Sequence, residues 1–160
     1  MLTEIIVMGV VGTLATDLWQ RFLQAVAGLP PANWGLIGRW VGWFPRGVFI
    51  HRSIAATPAI PGELAIGWAF HYAVGLAYAA LYLVIMKLAF ASPPTLLSAV
   101  VFAILLLVAP WFVMQPALGL GFMASRTPRP VLARAVSAST HTAFGVGLWL
   151  GAVVWPVAFT

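Results

Sequence analysis

Four side chains carry the chemistry this sequence can do: Asp17, His71, Gln115 and His141. A carboxylate can accept a proton or hold a cation. An imidazole can relay a proton or ligate a metal, and a carboxamide can select a partner by hydrogen bonding. His71, His141 and Asp17 together have the donor types of a divalent-metal site. Two histidines on neighbouring helices beside glycines could instead hold a haem edge-on. Haem and a divalent metal are therefore the cofactors these residues could take, although no dedicated motif supports either. The chain has no HExxH, P-loop, GxGxxG or nucleophile elbow, so nothing marks it as an enzyme.

The elements that must position these residues are long apolar runs. Of the 160 residues, 62% are hydrophobic and 7% charged, where soluble domains carry about 25% charged residues. Lipid must therefore serve as solvent. A helix needs about 20 apolar residues to cross the hydrocarbon core, and the sequence predicts spans at 2–27, 63–90, 95–123 and 131–158. The runs are too long for barrel strands and lack alternation. The expected fold is an all-α, polytopic bundle of four transmembrane helices forming a single domain. Pro93-Pro94 sets a tight turn, and Pro130 suits a helix start. Ala25-Val26-Ala27 resembles a signal-peptidase site, but Asp17 and Arg21 interrupt the run, and the first span is expected to be retained.

The formal net charge is +5. The arginines sit singly in connections, without the basic stripe that nucleic-acid binders use. Arg21, Arg39, Arg46 and Arg52 lie at or beyond the end of span one, and Arg126, Arg129 and Arg134 lie between spans three and four. The positive-inside rule places loops 28–62 and 124–130 in the cytoplasm and both termini outside. Absence of cysteine excludes disulfides and thiolate metal sites.

Counted from the cytoplasmic ends, each of the four polar residues lies ~10–15 Å deep. Ionisable groups at such depth cost ~2.5–3.5 kcal/mol and face the bundle interior. Gly67, His71, Gly75 and Ala79 follow a spacing of four, as Arg134, Ala138 and Thr142 nearly do beside His141. Small residues on these faces allow close helix approach. Pro110 and Pro116 break backbone bonds around Gln115. Two readings stand for Asp17: an intrahelical pair with Arg21, or a proton or cation acceptor facing a histidine. For His71 and His141 the readings are interhelical hydrogen bonding or ligation. The patterns His71-x3-Gly75 and His141-x3-Gly145 hint at two related hairpins.

The first loop reads as more than a linker. Asn33 can cap a short helix, and Leu36, Trp40 and Phe44 share a face. The segment is expected to lie on the inner membrane interface. Alternatively it forms a lid in which Arg39 or Arg46 meets an anionic group. Glu63 and His51 read as solvated or headgroup-facing.

Ala109-Pro110-Trp111-Phe112-Val113-Met114-Gln115-Pro116, Gly38-Arg39-Trp40, Pro45-Arg46-Gly47 and Asp17-Leu18-Trp19 carry a resemblance along nearly the whole chain. It resembles an uncharacterised family of small bacterial inner-membrane proteins, known only as a domain of unknown function. The resemblance implies a bacterial, four-helix integral protein and no established activity or site. Transport or sensing of a small solute or proton through the polar layer is the expected function. Asp17 would be the acceptor, His71 and His141 relay or ligands, and Gln115 the selector. Four helices rarely enclose a pathway, so a homo-oligomer in the lipid bilayer is expected. The other classes left open are a haem- or metal-binding redox module and a structural subunit of a membrane complex.

Overall fold

In the computed structural model the backbone is described for residues 1–159 and the side chains for residues 1–154. The chain is all-α. Its five main helices are α1 (Leu2–Ala27), α2 (Trp34–Gly42), α3 (Glu63–Leu88), α4 (Leu96–Ala117) and α5 (Pro130–Phe159). Three of them, α1, α3 and α4, are long and apolar enough among the described residues to cross a membrane. The chain is thus a multi-pass membrane protein by length and composition. The fourth expected span forms as α5. It is not one of those three, which are drawn from the described residues alone.

Helix ends follow local chemistry. Gly28, at φ 64°, closes α1 by donating its N–H to Gln24 O and Leu23 O, since glycine takes the left-handed conformation without a Cβ penalty. α4 ends at Ala117 rather than at the expected residue 123. Two glycines explain the early stop, Gly119 at φ 87° and Gly121 at φ 75°. Within α4, Pro110–Met114 forms a π-helical turn. Proline lacks the N–H that an α-helical turn requires, and the wider turn accommodates the loss.

Contacts group the chain into two compact units. One comprises Met1–Pro31, Tyr72–Leu105 and Ser139–Thr160. Small residues let its helices touch. A Cβ on Gly9 would lie 2.9 Å from Leu76 Cα, and one on Gly147 would lie 2.7 Å from Gly12 Cα. A Cβ on Gly151 would lie 2.7 Å from Met8 Cα, and one on Gly145 would lie 2.7 Å from Val100 Cα. In lipid the hydrophobic effect does not drive helices together, so such close van der Waals approach takes its place. Polar side chains add cross-links. Lys87 Nζ meets Glu4 Oε2 at 3.1 Å, and Tyr82 Oη pairs with Ser98 Oγ at 2.7 Å. Tyr82 is fully buried. Tyr82→Phe should lower unfolding stability by about 0.5–1.5 kcal/mol, measurable by reversible unfolding in mixed micelles. Unchanged stability would show that the hydroxyl pair adds nothing net.

The other unit comprises Ala32–His71 and Leu106–Ala138. Its core is Trp40, Ile54, Ala117 and Leu118, with Leu36, Phe44, Phe70 and Met114 packed around them. The Leu36–Trp40 face of α2, extended by Phe44 in the turn that follows, is therefore covered by protein at its centre. The loop stays against this core through His51 N–H to Ala117 O, 2.7 Å, and Ile54 N–H to Leu118 O, 3.1 Å.

Candidate functional site

The four expected site residues divide between the units. Asp17 and His141 belong to the first, His71 and Gln115 to the second. Among the described residues no group of three or more His, Cys, Asp or Glu side chains is placed to hold a metal ion.

In the first unit, Tyr72 donates its hydroxyl to Asp17 Oδ2 at 3.2 Å. Arg21, the alternative partner, donates to Gln24 Oε1 at 3.3 Å. The carboxylate is half-buried on a helix able to span the membrane. Tyr72 was not singled out from sequence, although it neighbours His71. The structure explains the pairing: the Glu4–Lys87 contact sets α1 antiparallel to α3, which brings position 17 opposite the turn beginning at 72. The wall around this pair is built from backbone-level contacts. Thr13 donates to Gly9 O at 2.7 Å and Thr16 to Thr13 O at 2.7 Å. Both hydroxyls are thereby satisfied within α1, and both threonines are buried. Trp19 Nε1–H donates to Ser139 Oγ at 3.0 Å, placing the α5 polar stretch that contains His141 beside α1. The two His-x3-Gly patterns end on close crossings in this unit: Gly75 faces Thr13, and Gly145 faces Ala99 and Val100.

In the second unit, His71 is stacked on Trp34 with centroids 3.8 Å apart, and Trp68 stands 5.8 Å away. Trp34 sits at the first turn of α2, which Asn33 caps by accepting Leu36 N–H at 3.2 Å. His71 is thus part of an aromatic stack joining α2 to α3. Gln115 follows the π-helical turn, and its Oε1 is buried without a hydrogen-bond partner, as is Trp111 Nε1 one turn earlier. Such turns recur at functional positions in helices.

Arg39 meets an anion, as one sequence reading required, but the anion belongs to the chain. Its Nε and Nη2 pair with Glu63 Oε2 and Oε1, each at 2.8 Å. Nη1 donates to Thr57 O at 2.8 Å. Glu63 is therefore a paired residue and not a solvated one, and it also accepts Ile60 N–H at 3.2 Å. The Glu63 carboxylate raises the Arg39 pKa above its ordinary value, so the guanidinium stays charged throughout the working range. A planar fork suits this bidentate role where lysine does not. Arg39→Lys should lose the second carboxylate contact and loosen residues 54–57, read as faster amide hydrogen exchange there. Unchanged exchange would mean that packing alone holds the loop. Arg46, the other expected anion contact, lies over the Trp43 ring at 4.8 Å.

His51 corrects a second expectation. It is 6% exposed rather than solvated, because the loop folds onto the unit's core. Nothing in a lone loop histidine announces such burial; it depends on Thr57, Ala117 and the turn at Gly119. A Cβ at Gly119 would lie 2.9 Å from His51 O.

No curated protein and no solved structure matches the chain. A model of the family described as a protein of unknown function, DUF2938, matches residues 6–155, and the chain belongs to that family.

Proposed function

We propose that this is a four-span protein of the bacterial inner membrane that senses or transports a small solute or proton, with Asp17 as its proton acceptor. The observation that carries this is the Asp17–Tyr72 pair at 3.2 Å. An ionisable group well inside a span costs ~2.5–3.5 kcal/mol on insertion scales. Structural joining of two helices needs only a serine or an amide, so a carboxylate there favours a titrating role. Tyr72 fixes one carboxylate oxygen, and a carboxylate can take up a proton or a cation. His141, on α5 of the same unit, is the relay of choice, since imidazole alone titrates near neutral pH without perturbation.

In this reading α5 is the fourth span. Arg126, Arg129 and Arg134 then join the loop 28–62 arginines on the cytoplasmic side, with both termini outside. α2 lies on the cytoplasmic side, with Trp43 at headgroup level. Two copies in the bilayer would give eight spans, enough to enclose a path.

Purified protein in liposomes loaded with a pH-sensitive dye tests this. An imposed pH gradient should collapse faster than in empty liposomes when potassium and valinomycin clamp the potential. Equal rates across a panel of candidate solutes would sink the proton-coupled reading.

A further inference from the structure

The connection from α4 to α5 takes a backbone course that L residues resist. Within Gly119–Ala124, positive φ occurs at Gly119 (87°), Gly121 (75°), Met123 (51°) and Ala124 (57°). The glycines adopt it freely. Met123 and Ala124 do not, because in the left-handed region their Cβ crowds the following carbonyl oxygen. Residues other than glycine, asparagine and aspartate visit that region rarely, and then singly rather than in pairs. Ala124 is 1% exposed, so the strained pair is packed into the unit and is not a frayed surface tip. Strain of this kind persists only where the surroundings over-determine it, and it gathers in segments that switch.

The restraints can be named. Some are local: Arg126 N–H donates to Leu120 O at 2.9 Å, Ser125 N–H to Phe122 O at 3.0 Å, and Thr127 Oγ1 to Ala124 O at 2.8 Å. Another comes from the second turn of α5, where Arg134 Nε–H donates to Met123 O at 2.8 Å. That carbonyl belongs to the peptide joining the two left-handed residues, so Arg134 fixes the orientation of the strained peptide itself. Among the described residues this is the one hydrogen bond or ion pair of the Arg134 side chain. On its other side the turn carries the first loop. Ala117 O accepts His51 N–H at 2.7 Å, and Leu118 O accepts Ile54 N–H at 3.1 Å. The backbones meet closely at Gly119, so the turn cannot change course there while the loop stays seated.

We propose that Gly119–Ala124 is a strained hinge, that Arg134 is its latch, and that opening the latch releases loop residues 51–54 from the end of α4. This device does not depend on what the Asp17 site handles. Amide hydrogen exchange of the full chain in phosphatidylcholine nanodiscs tests it. Arg134→Gln should speed exchange across residues 51–54 and 118–127 at least about tenfold. Adding Met123→Gly removes the strain and should return exchange towards that of the parent, with the latch still missing. Adding Met123→Ala instead deletes the same side chain beyond Cβ but keeps the strained backbone, and should not restore it. Arg129→Gln, an exposed arginine of the same connection, should exchange as the parent does. The proposal fails if Arg134→Gln exchanges as the parent does, or if Arg129→Gln loosens the loop as much. It also fails if Met123→Gly restores nothing, or if Met123→Ala restores as much. Should Arg134→Gln fail to fold, as judged by thermal unfolding in micelles, the single changes at Met123 decide. Met123→Gly should then melt higher than Met123→Ala, the reverse of their usual order, and an equal or lower midpoint sinks the hinge.

Discussion

Asp17→Asn should bring proton flux in liposomes down to the rate of empty vesicles while making the protein no less stable. The two halves of this result come from one cause. A carboxylate within a span is costly, ~2.5–3.5 kcal/mol on insertion scales, and the amide relieves much of that cost. Asparagine still accepts the Tyr72 hydroxyl through its carbonyl oxygen, so the 3.2 Å contact survives. What disappears is the exchangeable proton. Tyr72→Phe should behave differently. It removes a hydrogen bond to a charged group, worth about 1.5–3 kcal/mol, and should lower both stability and flux without abolishing flux. A residue that merely joins helices shows the reverse order, with stability falling first. If Asp17→Asn destabilises the protein and leaves flux untouched, Asp17 is a structural hydrogen-bonding residue and the proposed function is wrong.

Gly38→Val should give the largest structural loss. A Cβ at Gly38 would lie 2.7 Å from the Glu63 carbonyl carbon and 2.5 Å from Gly67 N. The opposing position is equally tight, with a Cβ at Gly67 lying 2.7 Å from the Trp34 carbonyl carbon and 3.1 Å from Gly38 N. These obstacles are backbone atoms, which cannot swing aside as a side chain does. Overpacking typically costs about 1–3 kcal/mol, sometimes more. Here the displacement also stretches the Arg39–Glu63 fork next to it and uncovers Trp40. Thermal unfolding in micelles, followed by tryptophan fluorescence, should show a lower midpoint, and residues 34–57 should exchange amide hydrogens faster. Gly35→Ala is the contrast. Its nearest obstacle is the Asn33 side-chain oxygen at 3.2 Å, which can give way, so the midpoint should move little. Equal effects from the two changes would mean that α2 does not depend on its close crossing with α3.

These cases show which physics a sequence carries openly. Apolar length is additive along the chain, so α1 starts and ends where expected and α3 starts at Glu63. Capping is local too, and Asn33 caps α2 as its side chain predicts. The end of α4 turned on two glycines in left-handed conformations, and the hydropathy of the following residues masks them. Partner choice is non-local. Arg39 carries the mark of an anion contact, but its partner lies 24 residues away. His51 carries no mark at all, because its burial comes from a loop folded back on Leu118 and Ala117. Tyr72 lay in between: once the Glu4–Lys87 contact sets the register of α1 against α3, it falls opposite Asp17.

The π-helical turn at Pro110–Met114 holds one more residue than an α-helical turn would. Removing a residue from this stretch would let the helix resume ordinary winding, with Gln115 rotated by about 100° and its hydropathy nearly unchanged. The extra residue therefore works as an angular setting. It fixes which neighbours the buried Gln115 oxygen and everything after it can face. Length variation in relatives at this point would change facing rather than span, and a substitution count alone would miss it.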